Sequence, residues 1–394
     1  MSDGYPIRPL GEVMRLDIQR TPMEPATTHR LAGVLNAGQG LVAKGELDGG
    51  DTEYAAMNVL HVDQVVMRKL TAWEGPITVV PAEFDGFVVS NEFPTFTLGP
   101  ELMPDWMRHV CRSPRLWAEM KNRVSGTVQR RKRLNPEQLL QIQLPIPPRE
   151  VQARIIEMLD AVDDQITALD AEADALSKVE SGLRRNLFNR LVVPVVPAGE
   201  KFEMRLGRQK SARQSIGDHV HPYLRAANIG VGTLDLSDLK TMNFEPREQE
   251  KYAVHPGDVL LVEGGSIGQA ALWAGEVDGF VGFDKHVIRI RAREGVSTPE
   301  YALQWCHWAR EDGQFAGQAT GITIKALGFS RASNMSVPDL PVAQQARLTG
   351  PLAAAAEQVV ATRAEASRLR QVRAALLSGL LDRTIDIESA DSEV

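Results

Sequence analysis

The chain has 394 residues, of which 43% are apolar and 24% charged, a composition typical of a globular protein with two or three domains. It holds no apolar run of the roughly 18 residues that a membrane-spanning helix needs, and its N-terminus carries prolines and charges where a signal peptide is apolar. We therefore expect a cytoplasmic protein. The formal net charge of −7 argues mildly against a nucleic-acid partner, but the charge is unevenly distributed along the chain.

Residues 1–148 have the pattern of a mixed α/β domain with short strands. Residues 77–80 and 87–89 are rich in β-branched side chains and predict strands, whereas residues 106–120 have a helical pattern. Between positions 108 and 133, nine residues are basic and only Glu119 is acidic. A segment of this kind can supply electrostatic attraction for DNA.

The most basic part of this domain combines small, hydroxyl and cationic side chains. Gly and Ser allow close backbone approach to phosphate, the cations supply attraction, and Gln and Arg can reach base edges. A solvated surface tract without a ligand is the alternative. The predicted DNA-contacting residues are Ser125, Gly126, Thr127, Gln129, Arg130, Arg131, Lys132 and Arg133.

A long helix is predicted for residues 149–192, between the Pro147-Pro148 pair and Pro194. Apolar residues recur at alternating intervals of four and three, which is typical of a coiled-coil seam, although Glu180 interrupts the pattern. The predicted helix-pair or subunit-interface residues are Ile155, Leu159, Val162, Ile166, Leu169, Leu176 and Leu183.

The second half of the chain repeats the first at an offset of 193 to 195 residues. Asp85-Gly86-Phe87-Val88 recurs as Asp278-Gly279-Phe280-Val281, and Gln152-Ala153-Arg154 recurs as Gln345-Ala346-Arg347. An ordered series of such matches predicts two copies of one unit, each a globular domain followed by a helix.

Two segments of the second copy could contact DNA. One is a Gly-rich turn at residues 263–268, followed by Lys285 and by arginines at 289, 291 and 293; the other matches the basic segment of the first copy. The turn could also be a plain tight turn, and the arginines fit either a phosphate-facing or a merely exposed strand face. The predicted DNA-contacting residues are Gly264, Gly265, Ser266, Lys285, Arg289, Thr320, Gly321, Thr323 and Lys325.

Residues 342–384 repeat the heptad pattern, with Thr362 and Arg373 as departures from it, and Gly350-Pro351 predicts an irregular first turn. An acidic tail at 385–394 follows. Because this helix begins where the second domain ends, we expect it to return antiparallel to the first helix; the alternative is that each helix packs only on its own domain. The predicted interface residues are Leu352, Val359, Leu369, Leu376 and Leu380.

The predicted fold class is therefore α+β. Two mixed α/β recognition domains, at residues 1–148 and 193–341, form a pseudo-twofold repeat and are separated by two long antiparallel coiled-coil helices, at residues 149–192 and 342–384.

The sequence lacks the motifs of familiar enzymes. No nucleotide-binding G-x-x-x-x-G-K-[ST], no G-x-S-x-G and no H-E-x-x-H occurs, and no Asn-Pro-Pro-aromatic tetrapeptide of an amino-methyltransferase is present. Cys111 and Cys306 cannot build a disulfide framework, have no surrounding ligand cluster and are expected to be reduced core residues. We expect a chain without catalytic residues, metal or cofactor.

The entry into the first long helix resembles that of the specificity subunits of type I restriction-modification systems. It reads Ile142-Gln143-Leu144-Pro145-Ile146-Pro147-Pro148, with Gln152 and Ile155 following in register, and residues 337–345 are a weaker version. Gly257-Asp258-Val259-Leu260-Leu261 also looks like part of the family's recognition domain. The resemblance covers nearly the whole chain, except for a poor match over the first 50 residues.

The resemblance implies a mechanism. Each recognition domain would read one short half of a bipartite, asymmetric double-stranded DNA site, and the antiparallel helices would fix the unread spacer. The helices would also dock two adenine methyltransferase subunits, which carry S-adenosylmethionine, and a restriction and translocase subunit would complete the complex. Two alternatives are a coiled-coil adaptor without DNA readout and an enzyme, a nuclease or methyltransferase with unfamiliar motifs.

Overall fold

A computed structural model describes residues 5–126, 132–209, 217–321 and 325–385. It is 42% helical and 24% strand, which confirms the α+β class. The chain divides into two compact units: unit 1 comprises Met1–Asp170 with Ala364–Val394, and unit 2 comprises Ala171–Arg363. Both points of division lie inside long helices and are 193 residues apart, the offset that relates the sequence repeats.

The strands of unit 1 form three sheets within the described residues. A two-stranded sheet pairs β1 with β11, a four-stranded sheet has the order β2-β10-β7-β8, and a five-stranded sheet has the order β3-β6-β9-β4-β5. The strands are β1 (Ile7–Pro9), β2 (Met14–Leu16), β3 (Gln19–Pro22), β4 (Thr28–Val34), β5 (Leu41–Asp48), β6 (Ala56–Val59), β7 (Val65–Met67), β8 (Ile77–Val79), β9 (Val88–Val89), β10 (Thr95–Leu98) and β11 (Gln143–Pro145).

The helices of unit 1 pack against the four-stranded sheet. The main core contains Phe96, Trp106 and Leu116, together with Ile155 and Leu380 from the long helices. The helices are α1 (Pro104–Cys111), α2 (Pro114–Arg123), α3 (Pro136–Leu140) and the first part of α4 (Arg149–Asn189).

The single helix predicted over residues 106–120 is two helices. Pro114 lacks a backbone donor and suits the first turn of a helix, so it begins α2 rather than continuing α1. The Ser113 hydroxyl caps the new helix by accepting from the Arg115 N–H.

Unit 2 repeats this architecture. Its sheets have the orders β12-β20, β13-β19-β16-β17 and β15-β14-β18, the first two matching unit 1 strand for strand. The strands are β12 (Val195–Pro197), β13 (Phe202–Leu206), β14 (Val220–Leu224), β15 (Lys240–Asn243), β16 (Val259–Val262), β17 (Ala270–Leu272), β18 (Gly282–Phe283), β19 (Val287–Ala292) and β20 (Ser336–Pro338). The helices are the second part of α4, then α5 (Ala198–Lys201), α6 (Pro246–Tyr252), α7 (Pro299–Glu311), α8 (Gln314–Gln318), α9 (Phe329–Ser333) and α10 (Val342–Leu381), of which the part from Ala364 onward belongs to unit 1.

The correspondence extends to the third sheet. Both units contain a parallel pair, β4 with β9 and β14 with β18, next to antiparallel neighbours. The antiparallel pair of β4 with β5 corresponds to that of β14 with β15. Unit 1 differs by β3 and β6, which extend its sheet beyond β9 and have no counterpart in the three-stranded sheet described for unit 2.

The long helices α4 and α10 run antiparallel in each unit. In unit 1, Arg373 pairs with Asp163 while Arg370 pairs with Asp170, so the order along one helix is reversed along the other. In unit 2, the Arg363 guanidinium contacts Ser177 (3.2 Å), and Leu183 and Leu352 share a core. The helices therefore pack on each other, not only on their own domains.

The prediction that Gly350-Pro351 makes the first turn of α10 irregular is wrong. The α10 helix runs unbroken through Pro351. Pro351 lies on the exposed side of the helix, where water can hydrate the carbonyl group that has lost its donor.

Candidate nucleic-acid interface

In unit 1, three chain segments meet at the predicted basic segment. Ser125 and Arg133 exchange two backbone hydrogen bonds of 2.9 Å and so close the segment into a loop. The Leu134 N–H donates to the Lys69 carbonyl (3.1 Å), and the Lys69 N–H donates to the Glu92 carbonyl (2.9 Å). The loop is thus held against two other turns of the domain.

Unit 2 builds the same junction from the corresponding residues. Thr320 and Ala326 exchange backbone hydrogen bonds of 3.0 and 2.9 Å. The Leu327 N–H donates to the Glu263 carbonyl (2.8 Å), and the Glu263 N–H donates to the His286 carbonyl (2.9 Å). The Gly-rich turn and the Thr320 segment, which the sequence presents as two separate candidates, are therefore brought together.

The loops share their local geometry. Gly126 and Gly321 are exposed and have φ angles of +124° and +130°, a conformation that residues with a Cβ rarely adopt. Gly265 in the adjoining turn has a φ of +81° and is exposed beside Ser266. The predicted contact residues Thr127, Gln129, Arg130, Arg131 and Thr323 lie outside the described residues.

The charges around the two junctions differ. Lys132 and Lys325 occupy equivalent positions, and within the described part of the chain no carboxylate pairs with either. In unit 1, Arg133 is half-exposed and forms an ion pair with Glu92 (3.2 Å). In unit 2, Lys285 is exposed on the adjoining turn. Counting only partners in the described ranges, each junction thus offers at least one cation without a carboxylate beside an exposed glycine.

Arg289 does not belong to this surface. Its side chain is 2% exposed, and its guanidinium donates to Glu203 (2.6 Å) and to the Ala253 carbonyl (2.8 Å). Burial lowers the pKa of Arg289, and the neighbouring Arg291 charge lowers it further. Arg291 makes a bidentate pair with the buried Asp258 (2.6 and 2.7 Å). Both arginines of β19 form ion pairs within unit 2, so neither the phosphate-facing nor the simply exposed interpretation holds for these two.

The predicted seam residues are all buried or half-buried on α4 and α10, and their role as an interface stays a prediction. Ile155, Leu159 and Leu380 pack in the main core of unit 1, and Leu352 packs in that of unit 2. The buried residues are Ile155, Leu159, Ile166, Leu169, Leu352, Val359 and Leu380, and the half-buried ones are Val162, Leu176, Leu183, Leu369 and Leu376.

Sequence reasoning assigned no role to Gln152, which fastens the start of α4 to unit 1. The side chain is fully buried. Its amide nitrogen donates to the carbonyl oxygens of Glu101 (2.9 Å) and Pro147 (2.8 Å), and its amide oxygen accepts from the Met103 N–H (2.8 Å). Both N–H donors of the buried amide and one of the two acceptor directions of its oxygen are thereby used.

Gln345 makes the equivalent clamp at the start of α10. Its amide nitrogen donates to the carbonyl oxygens of Val296 (2.9 Å) and Leu340 (2.8 Å), and its oxygen accepts from the Thr298 N–H (3.1 Å). The repeated Gln-Ala-Arg tripeptide was the sequence signal for this pair, because a buried polar residue that recurs in both copies indicates a shared hydrogen-bonding task.

The cysteines are structural, and so is the single cluster of the described residues that has the spacing of metal ligands. Cys111 and Cys306 are buried and unpaired, as expected, and burial raises the pKa of both thiols. Donor atoms of His109, Asp160 and Asp163 lie within 4.8 Å of one another. The Arg373 guanidinium already donates to Asp163 and His109, so these lone pairs serve an internal cation.

One solved structure is similar enough to this chain to support its fold. A chain from a structure described as "Structural basis underlying complex assembly and conformational transition of the type I R-M system" matches 97% of this chain and 98% of its own length, with 18% identity and a TM-score of 0.62. This chain has the fold of a type I R-M protein. The resemblance derived from the helix-entry motif and the repeat is thereby confirmed for the fold.

Other comparisons add less. The HsdS subunit from Thermoanaerobacter tengcongensis (18% identity, 97% of each chain) and the type I S subunit from M. genitalium (14% identity, 96% of each chain) have TM-scores of 0.43 and 0.46, too low to support an argument. No family model and no curated protein matches the sequence. Over the described residues, no helix is both long and apolar enough to cross a bilayer.

Proposed function

We propose that this chain is the specificity subunit of a type I restriction-modification complex, a non-catalytic protein that selects a DNA sequence for partner enzymes. The observation that carries the proposal is the repeated junction: two copies of one domain each present an exposed glycine and, at an equivalent position, a lysine that pairs with no carboxylate among the described residues. A type I R-M fold over nearly the whole chain supports the same assignment.

Each junction is the proposed contact with one half of a bipartite DNA site. The exposed Lys285 and Lys325 and the half-buried Lys132 would neutralise phosphates, and the glycines would let the backbone approach the duplex. Because unit 1 carries Arg133 and Glu92 where unit 2 carries Ala326 and His286, the two half-sites should differ. The proposed contacts are Ser125, Gly126, Thr127, Gln129, Arg130, Arg131, Lys132, Arg133, Gly264, Gly265, Ser266, Lys285, Thr320, Gly321, Thr323 and Lys325.

The long helices have a separate proposed task. Residues 1–148 and 193–341 would be the recognition domains, and the paired helices of residues 149–192 and 342–384 would fix the number of unread base pairs between half-sites. The same helices would dock two methyltransferase subunits that hold S-adenosylmethionine, and restriction and translocase subunits would join that assembly.

Methylation mapping tests the proposal directly. The chain would be co-expressed with the adenine methyltransferase encoded beside it, and methylated adenines would be mapped across the host genome. We expect a bipartite, asymmetric motif that disappears when this chain is deleted. Unchanged methylation after deletion, with no DNA binding by the purified complex at low salt, would support a coiled-coil adaptor instead.

A further inference from the structure

A buried cation interrupts the apolar seam of the long helices in unit 1. Arg373 lies on α10 at a position where the heptad repeat calls for an apolar residue, and it is 5% exposed. Burying a charge is costly unless it is paired, and a single polar residue at a seam position is known to specify helix register at a cost in stability. The contacts of Arg373 show whether it specifies the helix register in unit 1.

The Arg373 guanidinium is the centre of a network that joins three helices. Its Nε donates to Asp163 Oδ1 (2.6 Å), and one terminal nitrogen reaches Asp163 Oδ2 (2.9 Å) and His109 Nδ1 (2.6 Å). Because Nδ1 accepts, the His109 proton lies on Nε2, which faces Asp160 (3.1 Å). Arg112 adds a further bond to Asp163 (2.6 Å).

The electrostatics agree with this geometry. Burial lowers the pKa of His109 and the Arg373 charge lowers it further, so the imidazole stays neutral and can accept the bond. Burial acts to raise the pKa of Asp163, but the hydrogen bonds and charges of Arg373 and Arg112 outweigh it, and the pKa is lowered. The network is therefore a neutral imidazole, a charged carboxylate and a fork-shaped cation that fits both.

The corresponding layer of unit 2 is also polar, but its residue at the seam position is a carboxylate instead of a cation. Glu180 on α4 is the repeat counterpart of Arg373, and it pairs with the buried Arg184. Arg184 also pairs with Glu311 and donates to Gln304 (2.7 Å), the counterpart of His109. The C-terminal halves of α4 and α10 are thus not interchangeable, because each carries charges that suit only its own unit.

The apolar seam alone would tolerate a displacement by one heptad, because it repeats every seven residues. The network would not. Displacing α10 by seven residues, about 10 Å at 1.5 Å per residue, brings Ala366 or Leu380 opposite Asp163 and leaves Asp163 and His109 without their cation. Only one register satisfies both the seam and the network.

We infer that Arg373, Asp163 and His109 are positioning residues that select the register of α10 against α4 in unit 1. If the proposed function holds, the same residues restrict the complex to one spacer length between half-sites. This consequence rests on the proposed function, whereas the register itself does not.

The test replaces the network with apolar residues in the full chain: Arg373→Leu, Asp163→Ala and His109→Leu together. Exchanging a buried ionic group for apolar residues is often neutral or stabilising, so the triple variant should fold and melt no lower than the parent. The matched control is Arg370→Leu with Asp170→Ala, which removes an ion pair between the same helices whose side chains are about half exposed, 49% and 48%.

Register is measured by pulsed electron paramagnetic resonance between spin labels on two exposed residues of unit 1, Asp164 on α4 and Gln371 on α10. In the triple variant we expect a second label-to-label distance from molecules in which α10 has moved about 10 Å along its axis. This population should rise about tenfold, to on the order of a tenth of the molecules or more. The parent and the control should each give one distance. A single, unchanged distance in the triple variant would overturn the inference.

Methylation mapping of the same variants separates the two claims. The triple variant should methylate sites with more than one spacer length while its half-sites stay the same, and the control should keep one spacer. A parent chain that directs no methylation would defeat the proposed function, yet the spin-label distances would still decide the register.

Discussion

The buried clamp at Gln152 gives the sharpest stability prediction. In the Gln152→Ala variant, two carbonyl groups and one N–H group lose their partners inside unit 1. A typical intramolecular hydrogen bond contributes about 1 kcal/mol net, and a buried group left unsatisfied costs about 1–3 kcal/mol. We therefore expect the free energy of unfolding of unit 1 to fall by about 3 kcal/mol.

Hydrogen exchange measured by mass spectrometry locates the effect. Peptides covering residues 100–104 and 145–155 should lose protection in Gln152→Ala, whereas unit 2 peptides should keep theirs. Gln165 is exposed on the same helix, so Gln165→Ala controls for helix propensity and should change little. Unaltered protection at residues 100–104 in Gln152→Ala, or a loss spread evenly over both units, would refute the clamp.

Three further predictions concern charge. The folded protein keeps His109 neutral, whereas the unfolded chain protonates it below about pH 6.5, so the free energy of unfolding should fall as pH drops below that value. In urea titrations, His109→Gln should flatten this dependence of the free energy of unfolding on pH. An unchanged dependence would contradict the argument. Arg184→Met leaves two partly buried carboxylates unpaired, so it should cost about 3–5 kcal/mol by calorimetry; a loss below about 1 kcal/mol would show that the pair is expendable. For DNA binding by the assembled complex, Lys132→Gln and Lys325→Gln should each reduce the slope of log affinity against log salt by about 0.9. The control Lys178→Gln on α4 should leave the slope unchanged. Equal slopes in all three variants would exclude the junctions as DNA contacts.

The large features of the fold follow from the sequence because they depend on periodicity. The heptads and the constant offset between repeats predict two related domains and two paired helices, and both units show that pairing. Pro114 was visible in the sequence, but the pattern on either side of it is helical, and the structure shows that Pro114 and the Ser113 cap together begin a new helix there.

The polar contacts could not be predicted in the same way, because their partners are remote in the chain. Arg289 alternates with other arginines as an exposed strand face would, yet its carboxylate partner, Glu203, lies 86 residues away. Arg373 was recognisable as a departure from the heptad pattern, but His109 is 264 residues distant. A periodic pattern gives the face on which a residue lies and says nothing of a partner brought there by the fold.

A domain exchange tests the central claim most directly. Residues 193–341 would be replaced by the second recognition domain of another chain of this fold whose methylated site is known, and adenine methylation would be mapped with the same methyltransferase. We expect one half-site to change to that of the donor while the other half-site and the spacer persist. A change in both half-sites, or in neither, would contradict the account of two independent readers joined by the helix pair.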